Sequence, residues 1–596
     1  MGANKLFISL LSGLLALASG SAIPGFTSQK VLTAPGRTKP DFALVPPTSH
    51  RPWDAAPSDD NYDNQIFFRL ATLLQHWPNT RYPSGSSVVP GIIPVGTALY
   101  HGRSVDEVPS KPDWLAFDAE HSMMFARGSN SRLFTFMTTR PLRVLYFDGS
   151  SAAKLSSGAT DTQTLLAWGR IGKNPMQDER VIIVDLCEWG KPFGIDGEVM
   201  YCDFFQGLEV VSSVHILPTD GSNQPPGRHP GRGPGRPAPP PNPASPATPP
   251  RSSFRSSGPP DPVLISSPLP PPKGPHPPHF PTEPRPPNWR GTLLDTTQRG
   301  FEAFQAGAWH RRAPGEVRVH IDASRLVSLY DPALRSGAIA RKGHEKVLHR
   351  GKGLSEDDIT TWRGWITEVL QPSAPETSGV DWQALTTVIM DRYGARLEYL
   401  RILLEPGRAA QNTTAAVQAV RTQLMVMLST DLTPDTIPIN ITRNGSSPTR
   451  ALQYSQAQRH ENSTHEWVKP IATHCSSFLV SHLPHGKFTR EERTLYAGVS
   501  GTLREICRVL SLLWADAYDP SPEFESDLIV IWRTRVNDLM EWLDWTMWNR
   551  CTPACDPDSL CFIPTWPLGI GRGEEDLSKV NWTPKCISRG KWGPSI

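Results

Sequence analysis

Several things are missing from this 596-residue chain. Its one obvious apolar run, 6–17, is too short to span a bilayer well, and no later run is longer, so a membrane-embedded body is not expected. Charge of one sign is missing too. Sixty basic and 58 acidic residues leave a formal net charge of +2, which provides no electrostatic footprint for nucleic acid. No Gly-x-Ser-x-Gly, P-loop or paired glycosidase signature stands out. No Cys-x-x-Cys pair is present, which argues against a dithiol redox centre. Residues 591–596 have no hydrophobic tail, so a lipid anchor is not expected.

What is present points to export. Lys5, the apolar run and the small residues of 18–22 together read as a signal peptide over 1–22. The eight cysteines (Cys187, Cys202, Cys475, Cys507, Cys551, Cys555, Cys561 and Cys586) all follow it, and their even number suits full pairing in an oxidising compartment. Cys187 with Cys202 and Cys475 with Cys507 are the expected pairs in the body. The four tail cysteines leave three pairings open. Five glycosylation sequons begin at Asn412, Asn440, Asn444, Asn462 and Asn581. A secreted, N-glycosylated, disulfide-bonded product is expected.

Along the chain, 23–61 reads as an irregular arm and 62–217 as an α+β domain. Helices are expected at 66–74 and 161–168. Strands are expected at 97–100, 133–137, 144–147, 181–186, 199–205 and 208–216. Residues 218–290 hold 27 of the 61 prolines and cannot bury a core, so they read as a proline-rich disordered linker. A mainly helical domain follows over 291–550. Its helices are expected near 355–370, 381–405, 414–428, 489–514 and 526–548, with Ser355 opening the first through a capping box. Residues 551–596 form a cysteine-rich, disulfide-stapled tail.

Reactive and aromatic residues crowd into 98–126. Tyr100-His101-Gly102 ends a strand, Trp114-Leu-Ala-Phe117 is aromatic and β-like, and Ser122 and Phe125 are one helical turn apart. Glu198 opens a later candidate strand. The order resembles the ADP-ribosyltransferase superfamily, in its His-Gly branch. That resemblance implies an NAD site in the first domain. His101 and Gly102 would bind the dinucleotide, Phe117 and Phe125 would stack the nicotinamide, Ser122 would hold its amide, and Glu198 would act as the catalytic carboxylate that orients the ribose. Phenylalanine stands at 117 and 125 where that branch has tyrosine. The plainer alternative is a core histidine at a turn, an amphipathic helix and a surface glutamate.

The segments ALYHG, WLAFDAEHS, RPLRVLYFDGSSAAK and CTPACDPDSLCFIPTWP also resemble a group of secreted proteins of filamentous fungi. That likeness implies an extracellular product and brings no activity with it. The rival function class is a non-catalytic protein that docks on an extracellular or cell-wall partner. His344-Glu-Lys-Val-Leu-His349 is not a zinc motif, because ligands five apart leave one helix face.

Overall fold

The sequence alternates where the chain pairs into sheets, and repeats every three or four residues where it coils. The computed structural model describes residues 51–76, 81–128, 130–149, 158–172, 175–197, 201–216, 296–433, 465–518, 525–563 and 580–589. The expected signal peptide over 1–22, most of the expected arm, the proline-rich stretch and the sequons at Asn440, Asn444 and Asn462 lie outside them. Residues from 56 onward form one unit by their internal contacts, and residues up to 55 form another.

In chain order the first region contains α1 (Asp63–Ala71), β1 (Ser87–Ile93), β2 (Ala98–Arg103), α2 (Ala119–Met123), β3 (Arg132–Thr138) and β4 (Leu142–Phe147). It continues with α3 (Asp161–Trp168), α4 (Pro175–Gly190) and β5 (Leu208–His215). It is an α+β region. β3 alternates strictly between buried and half-buried residues, the period of a strand with one face on a core. It is the centre of a β2–β3–β5 sheet whose inner face carries Leu99, Phe134 and Phe136.

The expected strand at 181–186 is instead part of the helix α4. Its β-branched residues suggest extension, but Ile182, Ile183 and Leu186 are buried while Val181 and Val184 face solvent. That spacing is helical, and packing overrides the strand preference. The expected strand at 199–205 reduces to isolated pairing at Tyr201, with 199–200 outside the described residues. Cys187 bonds Cys202 as expected, tying α4 to the segment after it.

The second region is mostly helical. Its elements are α5 (Thr296–Ala306), β6 (His320–Ile321), β7 (Val327–Ser328), α6 (Arg335–Arg341), α7 (Glu356–Leu370) and α8 (Trp382–Leu403). Then follow α9 (Thr413–Met427), α10 (Lys469–Ser477), α11 (Arg490–Tyr518), α12 (Glu525–Leu543), β8 (Ser559–Phe562) and β9 (Lys585–Ser588). The Ser355 hydroxyl accepts the Asp358 N–H at 3.2 Å and starts α7. Cys475 on α10 bonds Cys507 on α11. Trp362, Trp382, Trp532 and Trp545 are among the most deeply buried side chains, so these tryptophans are core rather than sugar platforms. Among the described residues no helix is long and apolar enough to cross a membrane.

The proline-rich stretch separates the two regions along the chain, yet their elements share a sheet and a core. β1 pairs antiparallel with β4 and also with β6 and β7. Val88, Leu145, Leu165 and Leu186 from one side pack with Val327, Trp362 and Ile366 from the other. α1 lies against α11 so closely that a Cβ on Gly498 would sit 2.7 Å from Ile66 Cγ2. In the tail, Cys551 bonds Cys561 and Cys555 bonds Cys586, which selects one of the three pairings. The β8–β9 ribbon rests on Phe301 and Phe304 of α5.

Candidate ligand site at the β2–α2 junction

Alternation along β2 sends Leu99 and His101 to the core face and Tyr100 and Gly102 to the other. His101 is 6% exposed. The Phe204 ring meets it edge-on at 5.5 Å. Its Nδ1 lies 2.7 Å from the Trp114 carbonyl oxygen. A carbonyl can only accept, so Nδ1 carries the hydrogen and donates. In the neutral ring Nε2 then presents a lone pair. That atom is buried without a hydrogen-bond partner, and Asp113 Oδ2 is 3.9 Å away. Burial pushes the imidazole pKa down, against the opposing pull of the Trp114 carbonyl and the Asp113 carboxylate.

Backbone bonds between Tyr100 and Ala116, 2.8 and 2.9 Å, lay the 114–117 segment beside β2. The Ser122 hydroxyl donates to the Tyr100 carbonyl at 2.8 Å. Gly102 makes the close approach possible: a Cβ there would fall 1.9 Å from the Ser122 carbonyl oxygen. Only glycine lets α2 dock here. Phe117 packs on the β2–β3–β5 core with the Arg318 guanidinium 5.0 Å over its ring. Phe125 is 50% exposed. It lies just beyond α2 and stacks on Trp114 at 6.2 Å. Arg180 of α4 covers the same indole at 5.9 Å.

His101, Gly102 and Ser122 therefore meet at one junction, and Phe117 flanks it. Phe125 is connected to His101 through Trp114, whose carbonyl serves one and whose ring serves the other. The side chains of His101 and Ser122 lie on opposite faces of β2. Glu198 lies outside the described residues; the preceding Gly197 bridges to Val144 and to Tyr201, and Tyr201 bridges to Asp113.

Sequence reasoning missed the supports. Trp114 and Asp113 stand inside the motif but carried no expected role. Arg318 comes from beyond the proline-rich stretch and donates to the Phe117 carbonyl at 2.7 Å and to Asp118 at 3.2 Å. Glu316 holds that guanidinium through both carboxylate oxygens and also bonds His310 at 2.8 Å. Burial alone would raise the Glu316 pKa, but the bonds from His310 and Arg318 outweigh it and hold it at about 2. No local pattern reveals a partner 201 residues away. On α4, Glu179 is desolvated against only Arg180 and is pushed up to about 7. A groove of about 630 Å³ lined by residues such as Arg143, His320, Arg325 and Gln371 shares no residue with this junction.

Residues 57–132 and 126–228 match the family described as the YPL277C N-terminal domain. The Saccharomyces cerevisiae protein YOR389W, described as uncharacterized, is 24% identical over 585 aligned residues, 86% of this chain and 84% of its own length. A second uncharacterized protein of the same yeast, YPL277C, is 31% identical over 220 aligned residues. That alignment spans 27% of this chain and 45% of the relative. The chain is thus similar to a family of uncharacterized yeast proteins, and the family match covers the region that holds the β2–α2 junction. No solved structure matches it.

Proposed function

We propose that the β2–α2 junction takes an NAD-type dinucleotide and that the chain is an exported, ADP-ribosyltransferase-like or NAD-hydrolysing protein. One observation carries this: a buried imidazole whose Nδ1 is committed to a carbonyl while its Nε2 lone pair meets no donor. Buried polar atoms are nearly always paired, so an unpaired one on a ring held by Trp114, whose indole stacks on Phe125, suits a ligand hydroxyl such as that of a ribose. The docking of Ser122 on Gly102 supports the resemblance to the His-Gly branch. Trp114 and Phe125 offer a stacking surface at the exposed edge. Loss of nicotinamide from NAD leaves an oxocarbenium-like centre, and Glu198 is the carboxylate this proposal assigns to stabilise it. Pairing of all eight cysteines supports an oxidising compartment. Asn412 and Asn581 are exposed, as glycan carriers must be.

A second reading, a non-catalytic partner of extracellular or cell-wall proteins, draws on the Ser122 hydroxyl being already bonded to Tyr100. The test is nicotinamide release from NAD by the intact chain. The proposal expects release that Glu198→Gln removes and that nicotinamide inhibits. No release and no stabilisation by NAD, with retention of the chain on cell walls, would give the second reading instead.

A further inference from the structure

Along β1 only Ile92 is exposed, an apolar side chain left 45% open to solvent. Strand pairing fixes what stands beside it. Ile92 lies opposite Arg143 of β4 on one side and opposite His320 of β6 on the other. Residues directly opposite in antiparallel strands share a face of the sheet. Arg143, Ile92 and His320 therefore form one row across three strands, and all three are exposed. The C-terminal end of α7 supplies the other wall through Val369, Leu370 and Gln371, leaving a groove of about 630 Å³. Sites for small molecules commonly enclose about 300–1,000 Å³.

The charges along this groove are not equally available. The Asp322 carboxylate is engaged: it accepts from Arg325 Nε at 3.0 Å and from the Ser324 N–H at 3.2 Å. The Arg325 fork goes on to the Val369 carbonyl at 3.0 Å and the Pro375 carbonyl at 3.2 Å. It thus answers both Asp322 and the negative end of α7. Arg143 and His320 have no such commitment. Among the described residues neither side chain makes a hydrogen bond or an ion pair. The free charge of the groove is therefore positive, and it flanks an apolar floor.

We propose that this groove binds a small organic carboxylate with an apolar body. The Arg143 guanidinium takes the carboxylate with its planar fork, and the His320 imidazole donates an N–H from the opposite side of Ile92. Ile92 and Leu370 support the apolar part. A carboxylate fits better than a phosphate, because phosphate sites draw on the N–H groups of a helix N-terminus and α7 presents its carbonyl end. The groove shares no residue with the β2–α2 junction, so this binding does not depend on whether NAD is taken there.

The experiment is calorimetric titration of the intact chain with 2-naphthoate, beside 2-naphthamide, which has the same ring and no charge. The expected result is saturable binding of the carboxylate with a Kd of about 1 mM or tighter, and binding of the amide weaker by about tenfold or more. Arg143→Gln weakens naphthoate by about tenfold or more, and Ile92→Glu, which sets a like charge in the floor, removes binding. Arg335→Gln, which takes one exposed positive charge from α6, leaves binding unchanged. Absence of naphthoate binding at millimolar concentration overturns the proposal. So does equal binding of the amide, or an affinity that Arg143→Gln does not alter.

Discussion

Two buried imidazoles in this molecule are finished differently. His349 donates or accepts at both nitrogens, with the Tyr330 hydroxyl at 3.0 Å from Nδ1 and the His344 carbonyl at 3.0 Å from Nε2. The rings of Tyr62 and Tyr330 pack against it. His101 is as deeply buried but is bonded at one nitrogen only. Both rings are pushed toward the neutral form chiefly by desolvation, His349 to about 4. A fully satisfied histidine has a structural role and no chemistry left over. A half-satisfied one keeps a lone pair that the fold does not use. That difference, more than burial, separates a core residue from a candidate ligand contact.

The largest effect should come from truncating the satisfied ring. His349→Ala removes two hydrogen bonds and opens a cavity between two tyrosines, so a loss of about 4 kcal/mol is expected in denaturant unfolding. A loss no larger than that of His101→Ala would erase the contrast.

Acid comes next. Between pH ~6.5 and ~4 the unfolded chain protonates His349 while the folded chain resists it, so stability falls as pH falls through that window, by roughly 3 kcal/mol at most. Thermal unfolding followed against pH should show this slope, and His349→Gln should flatten most of it. The remainder belongs in part to His101, whose pKa is depressed in the same direction.

A smaller loss, about 2 kcal/mol, is expected for Gly102→Ala, whose new methyl must push Ser122 and α2 away. Unchanged stability there would mean that α2 does not sit on β2 as described. The smallest effect is Ser122→Ala, about 1 kcal/mol or less, because the Tyr100 carbonyl still accepts the Ala116 N–H at 2.9 Å.

How much of this could be read from residues alone follows the range of the interactions. The helices at 356–370 and 382–403 announce themselves through caps and apolar spacing, and the structure has them as α7 and α8. β2, β3 and β4 are equally legible from alternation. The run at 181–186 misled because β-branched residues favour strands locally, whereas α4 is fixed by what it packs against. The pairing of β1 with β6 and β7, and the Arg318 clamp on Phe117, join residues more than 190 positions apart. Periodicity has no means of reporting such contacts. At the candidate site, His101, Gly102 and Ser122 were legible because their meeting is local, a strand followed closely by a short helix. That His101 turns inward while Ser122 lies on the other face was not, since it depends on which side of the sheet the core forms.

The most direct measurement is titration of NAD into the intact chain at neutral and mildly acidic pH, beside His101→Gln. An Nε2 lone pair that accepts a ligand hydroxyl predicts saturable binding at pH 7.5. Affinity should weaken as the ring protonates and should drop at least tenfold in the variant. Binding that is absent at millimolar NAD, or equal in both proteins at every pH, would contradict it.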